Sequence, residues 1–181
     1  MKNLNLGKYR QARIWIGELP DAESTAIETL THSAAATAQL QGGLILAAVE
    51  VFVPLGPRSM YGLLGGEWRP DQSNQFRVEI NVSAVNERLF PDNLALKGDE
   101  VRVGLPAEYA KAIPVGVALV KDQLTSLPSG KLSINRAAYG AIGSCEAVYK
   151  HLAAVLVKLV SSTNADWSDE ELVKLFPITF S

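Results

Sequence analysis

The sequence predicts an α+β fold, a mixed β-sheet with helices on one face, and three stretches carry that expectation. Residues 75–83 (QFRVEINVS) alternate without a break: Phe76, Val78, Ile80 and Val82 on one side, Arg77, Glu79 and Asn81 on the other. That is the period of a half-buried strand. Residues 44–55 are dense in Leu, Ile, Val and Phe, as in a strand covered on both faces. Residues 144–160 line Val148, Leu152, Val155, Leu156 and Leu159 along one helical stripe, with Lys150 and Lys158 pointing away. Strands and helices mixed within one unit bury their apolar faces by packing in layers.

Taken in order, residues 12–19 (ARIWIGEL) read as a strand with Ile14 and Ile16 on one face and Arg13 and Trp15 on the other, closed by Pro20 and Asp21. Residues 22–40 are rich in Ala and Thr and place Ile27, Leu30, Ala34 and Ala38 at helical spacing. A helix is expected there, stopped by Gly42-Gly43. Residues 59–68 are ambiguous, because Gly62, Gly65 and Gly66 suggest bends, and 69–74 carry turn chemistry. The run 84–98 reads as an irregular excursion around Phe90-Pro91, followed by a short strand at 100–105.

Pro106 suits a first helical position, and the helix it opens reaches about residue 120, with Tyr109, Ile113, Val117 and Val120 on its apolar side and a kink at Pro114. A turn at 127–130 leads to a strand at 131–139 and a tight connection at 140–143, after which Ser144 is expected to cap the next helix. Ser168-Asp-Glu-Glu171 is a capping box for a short helix ending before Pro177. The chain is thus expected to be one domain over 1–181, with a core at about 44–160, an N-terminal β-α extension at 12–40 and a C-terminal helix at 168–176.

Composition narrows the function. The chain has 181 residues, 48% hydrophobic against 20% charged, which excludes wholesale disorder. Seventeen Lys plus Arg against nineteen Asp plus Glu give a net charge of −2, which argues against a nucleic-acid binder. One cysteine, Cys145, leaves no intramolecular disulfide and suits a reducing compartment. The start, MKNLNLGKYRQ, has no apolar signal core, and the oily run 43–55 is broken by Glu50 and Pro54 and is too short to span a bilayer. A cytoplasmic location without membrane contact is the expectation.

Residues able to do chemistry are sparse. The two histidines, His32 and His151, come without a His-Glu-x-x-His or paired Cys-x-x-Cys pattern, so no metal and no cofactor is expected. Cys145 and His151 are six apart on one helix and point to different sides, a poor nucleophile–base pair. Cys145 does sit at a helix N-terminus, where a thiol is more reactive. Arg58, Tyr61, Trp68 and Arg69 are candidates for a small basic–aromatic partner surface, set against a plain solvated loop. Gly140, Gly143, Ser144 and Cys145 lie between a strand and a helix, where free backbone N–H groups receive anions. The competing reading there is a tight turn with a helix cap. The segment is superficially similar to the Gly-rich loop of galactokinase–homoserine kinase enzymes, without their longer Gly/Ser run or other motifs.

Leu105-Pro106-Ala107-Glu108-Tyr109, continuing to Ala112, Ile113 and Gly116, resembles the first helix of domain IV of elongation factor G, and Tyr139, Ser144 and Glu146 match the tip segment of that domain. The resemblance covers 104–160 and implies the ribosomal S5 domain 2-like fold, a four-stranded sheet with two helices on one face. It does not carry the factor's function, since the chain has no P-loop and Gly140 and Gly143 replace the family's tip His and Asp. The leading expectation is a non-catalytic domain that binds a protein partner or itself. The alternatives are a small-anion or phosphometabolite protein using the 140–145 turn, and a ribosome- or RNA-associated factor.

Overall fold

Leu4 and Leu6 alternate with Asn3 and Asn5, which gives strand β1 (Lys2–Gly7) one apolar face, and Lys8-Tyr9 turns it back into β2 (Arg10–Ile16). Both turn residues take positive φ (53° and 63°), the left-handed pair that lets a two-residue hairpin match the twist of its strands. The computed structural model, which describes residues 1–39, 42–85, 87–121, 126–162 and 166–177, continues with β3 (Ala26–Ala35), β4 (Ile45–Leu55), β5 (Arg58–Pro70), β6 (Gln75–Ser83) and β7 (Val101–Val103). Then come α1 (Ala107–Ala110), α2 (Ile113–Lys121), β8 (Gly130–Gly140), α3 (Glu146–Ser161) and α4 (Asp169–Lys174).

The fold is α+β, as expected. One mixed sheet runs β1-β2-β4-β5-β8-β6-β3. β8 lies parallel to β6 over 130–134 and antiparallel to β7 over 138–140, while the other pairings are antiparallel. The helices cover one face. Val49 and Val51 of β4, Val78 and Ile80 of β6, Val117 of α2 and Leu152 of α3 belong to one buried cluster. On the other face, at the β2–β4–β5 end, residues 87–100 of the excursion fold back so that Phe90 and Leu94 pack against Trp15, Ala48 and Leu63.

The N-terminal extension is β-β-β and not β-α. Residues expected to be helical form β3, antiparallel to β6 from Ala26↔Ser83 to Ala35↔Gln75. Ile, Thr and His tolerate a strand well, and β3 sits at the sheet edge with both faces largely open. It therefore needs no period-2 apolar alternation, and the chance 3–4 spacing of Ile27, Leu30 and Ala34 carries no helical face. The end of that expected helix, Leu40, lies outside the described residues.

The ambiguous 59–68 stretch is part of β5, and its glycines serve close approach. A Cβ on Gly66 would stand 2.1 Å from the Ser133 carbonyl oxygen, and one on Gly62 2.7 Å from Val148 of α3. The helix after Pro106 is divided at 111–112, which puts Pro114 in the first turn of α2, where a missing N–H costs no helical bond. Ser144 does not cap α3. Its N-cap is Cys145, with no side-chain cap bond. The capping box of α4 is complete: Glu171 N–H donates to Ser168 Oγ (3.2 Å) and Ser168 N–H to the Glu171 carboxylate (2.8 Å).

Three strands have an outer edge, and among the described residues one of these edges, that of β7, is paired along its backbone. Alongside β1, Lys2 Nζ donates to the Trp167 carbonyl (2.6 Å) and reaches Asp169 (3.1 Å) at the start of α4. Against β7, Val103 N–H donates to the Arg88 carbonyl and Phe90 N–H to the Val101 carbonyl, both at 2.9 Å. Among the described residues nothing pairs with the outer side of β3 over 27–35.

Candidate functional site

The turn after β8 is occupied by the chain's own anion. Ile142 and Gly143 each donate a backbone N–H to the Asp99 carboxylate, both at 2.9 Å. A Cβ on Gly140 would lie 2.2 Å from Asp99 Oδ2 and one on Gly143 2.8 Å, so the glycines are what admit the carboxylate. Ser144 Oγ accepts from Gly140 N–H (2.9 Å) and donates to the Tyr61 carbonyl (2.8 Å), while Tyr61 N–H donates to the Gly143 carbonyl (2.9 Å). The four residues expected to hold an anion do lie together, and an internal carboxylate stitches them to β5 and β7. Sequence reasoning missed Asp99 because it is 44 residues from Gly143 and comes near only through the β7–β8 pairing.

Cys145 is half-buried and packs against the main core. Its neighbours are aromatic: Tyr109 stacks on Tyr149 (centroids 4.9 Å apart, planes 9° apart), and Tyr149 donates to the Ala138 carbonyl (2.7 Å). Burial, and then Glu108, push Tyr109 up to about 12, and burial raises Tyr149 strongly. Both phenols therefore stay neutral and serve packing. His151 lines a different place, a groove of about 320 Å³ with Leu119, Lys158 and Phe176. The structure does not pair it with Cys145.

The proposed basic–aromatic surface is not a surface. Tyr61 and Trp68 are both fully buried, on opposite faces of β5, and Trp68 stacks on Phe76 at 4.9 Å. Arg58 and Arg69 are exposed but stand at opposite ends of the strand, eleven residues or roughly 36 Å apart at ~3.3 Å per residue. The alternation that placed Tyr61 and Trp68 on buried faces was hidden in the sequence by the glycines between them.

Tyr61 instead belongs to a buried polar cluster. Its hydroxyl donates to Glu50 Oε1 (2.9 Å), which also accepts Leu94 N–H (2.9 Å), and Arg13 Nη1 stands 3.5 Å from Glu50 Oε2. Arg13 also donates to Asp92 (2.9 Å). Burial raises the Glu50 carboxyl above its ordinary 4.5, opposed by the Leu94, Tyr61 and Arg13 contacts, and burial with Glu50 beside it holds the Tyr61 phenol well above 10. The cluster clamps residues 92–94 of the excursion onto β2 and β4. Glu50 is fully buried. Among the described residues no three His, Cys, Asp or Glu side chains are placed to hold a metal ion.

What remains unpartnered is β3. Ala36 N–H donates to the Asn74 carbonyl (3.1 Å), so in this antiparallel ladder the even residues 28–34 exchange bonds with β6. The odd residues Thr29, Thr31, Ser33 and Ala35 then aim N–H and C=O outward, while the register shift between Ala26 and Glu28 breaks the alternation at Ile27. Past the end of β3 the alternation stops, and Thr37 and Ala38 both donate N–H to the Leu127 carbonyl (2.8 and 3.2 Å). β3 carries neither Lys nor Pro, the residues with which natural sheets blunt an edge. No helix among the described residues is long and apolar enough to cross a membrane. No known protein family, no curated protein and no solved structure matches the chain.

Proposed function

We propose that this chain is a non-catalytic, cytoplasmic protein-interaction domain that takes another polypeptide strand along β3 by main-chain pairing. The observation that carries the reading is the asymmetry of the sheet edges: β7 is paired by residues 88–90, β1 is short, bulged near its end and tied to α4 through Lys2, and β3 presents the outward backbone groups of Thr29, Thr31, Ser33 and Ala35 with no partner among the described residues. Main-chain bonds supply affinity in such strand addition, and alternate side chains supply selectivity. The capture of the Ile142 and Gly143 amides by Asp99 weighs in the same direction, since it fills the chain's most evident anion receptor.

The architecture proposed for this domain is the S5 domain 2-like one. The order β4-β5-β8-β6, with β8 parallel to β6 across α1 and α2, supports that reading.

Titrating a ten-residue peptide of unrelated β-forming sequence onto isotope-labelled chain tests the interaction. Amide shifts concentrated at Thr29, Thr31 and Ser33 are expected. They should vanish in Thr31→Pro, which deletes an outward N–H and no bond to β6. Absence of β3 shifts at millimolar peptide, at a chain concentration where light scattering shows monomer, overturns the proposal.

A further inference from the structure

β3 contains only two ionisable side chains, Glu28 and His32, and both stand on the same face as Leu30. Among the described residues neither has a hydrogen-bond or ion-pair partner. Leu30 is half-buried against the main core, at the margin where the sheet stops.

The outward backbone groups belong to odd residues, so any antiparallel partner must pair them with outward groups of its own, in hydrogen-bonded pairs. If the partner is a second β3, two-fold symmetry allows only registers that step by two residues. One step places Leu30 beside the partner's Glu28, and the opposite step sets Leu30 against the partner's His32 and Glu28 against Ala34. A further step brings the two His32 together. A single register puts Leu30 opposite Leu30, Glu28 opposite His32 at both ends, and Thr29 opposite Thr31 in the bonded positions. These even-residue pairs would be the non-hydrogen-bonded ones, whose side chains come closest in an antiparallel ladder.

Resting on the reading of β3 as a pairing edge, we infer that its partner is a second copy of this chain, joined antiparallel about a two-fold axis through Leu30. Like-facing edges that meet this way give a closed dimer and do not polymerise. The pairing continues the sheet across the axis and gives Glu28 and His32 the partners they lack.

Leu30→Cys and Thr31→Cys, each made in a Cys145→Ser background, test the register. Residues facing each other in a non-hydrogen-bonded pair lie about 4.5 Å apart at Cα, within disulfide reach, whereas two copies of Thr31 are offset along the strands and are not. The expected result is concentration-dependent dimer by light scattering for the natural chain, with air oxidation linking Leu30→Cys several-fold faster than Thr31→Cys. If the cysteine variants fold poorly, charge exchange reads the same contact. Glu28→Lys should reduce the dimer fraction, and Glu28→Lys with His32→Glu should restore it. Faster linking through Thr31→Cys overturns the Leu30 axis. A natural chain that stays monomeric at every concentration overturns the second copy. The pairing edge itself then stands or falls separately, on whether the unrelated peptide still shifts Thr29, Thr31 and Ser33.

Discussion

Asp99 shows how one residue decides what a motif can do. A glycine turn before a helix is an anion receptor only while its amides are free, and here two of them hold a carboxylate supplied from the loop before β7. Asp99→Ala should lower stability by about 1.5–3 kcal/mol in denaturant unfolding, the usual range for hydrogen bonds to a charged group. It should also expose the receptor, so that phosphate raises the melting temperature of the variant and not of the natural chain; an equal rise in both would mean that Asp99 does not fill the site. Glu50 and Asp71 show opposite uses of a carboxyl. Glu50 is buried and pushed upward, whereas Asp71, bonded by the Ser73 hydroxyl and N–H with Arg77 and Ser129 beside it, is held to about 2. None of these roles was visible in the sequence. Glu50 stood out only as an interruption of an oily run, because its partners Tyr61, Leu94 and Arg13 lie on three other segments.

At the scale of elements, those with a clear period were legible and those without one were not. β6 alternates over nine residues and α3 carries a continuous apolar stripe, and both fold as their patterns require. The capping box of α4 is a purely local device and survives intact. β3 escaped because a two-sided exposed edge strand imposes almost no pattern, and β5 because its glycines interrupt the alternation they exist to serve. Gly116 carries the same lesson into a helix. By propensity Gly→Ala should stabilise α2 by roughly 0.8–1 kcal/mol. Yet the added Cβ would stand 2.1 Å from the Lys150 carbonyl oxygen and 2.8 Å from Ala153 Cβ of α3. Gly116→Ala should therefore destabilise, by about 1–3 kcal/mol as overpacked sites do. Urea unfolding gives the sign directly, and a stabilised variant would mean that α2 and α3 are not in backbone contact there.

For the whole molecule, the distribution of covered and uncovered surface says more than any cluster of side chains. One sheet face is sealed by helices, and the β2–β4–β5 end of the other by a clamped excursion. Lys2 ties the start of β1 to the start of α4, and residues 88–90 pair with β7. An exposed edge strand is a liability that a stable domain blunts or uses, and beyond the bulge and Glu28 at its start β3 carries no charge-bearing Lys, no Pro and no covering backbone over 29–35. Residue-resolved amide exchange of the natural chain at low and high concentration tests this most directly, because the even amides of β3 are held by β6 in any state while the odd ones are held only by a partner. The expected result is protection at Thr29, Thr31 and Ser33 that rises with concentration, beside constant protection at Leu30 and His32. Odd amides that exchange as fast as unprotected backbone at both concentrations would contradict the pairing of this edge.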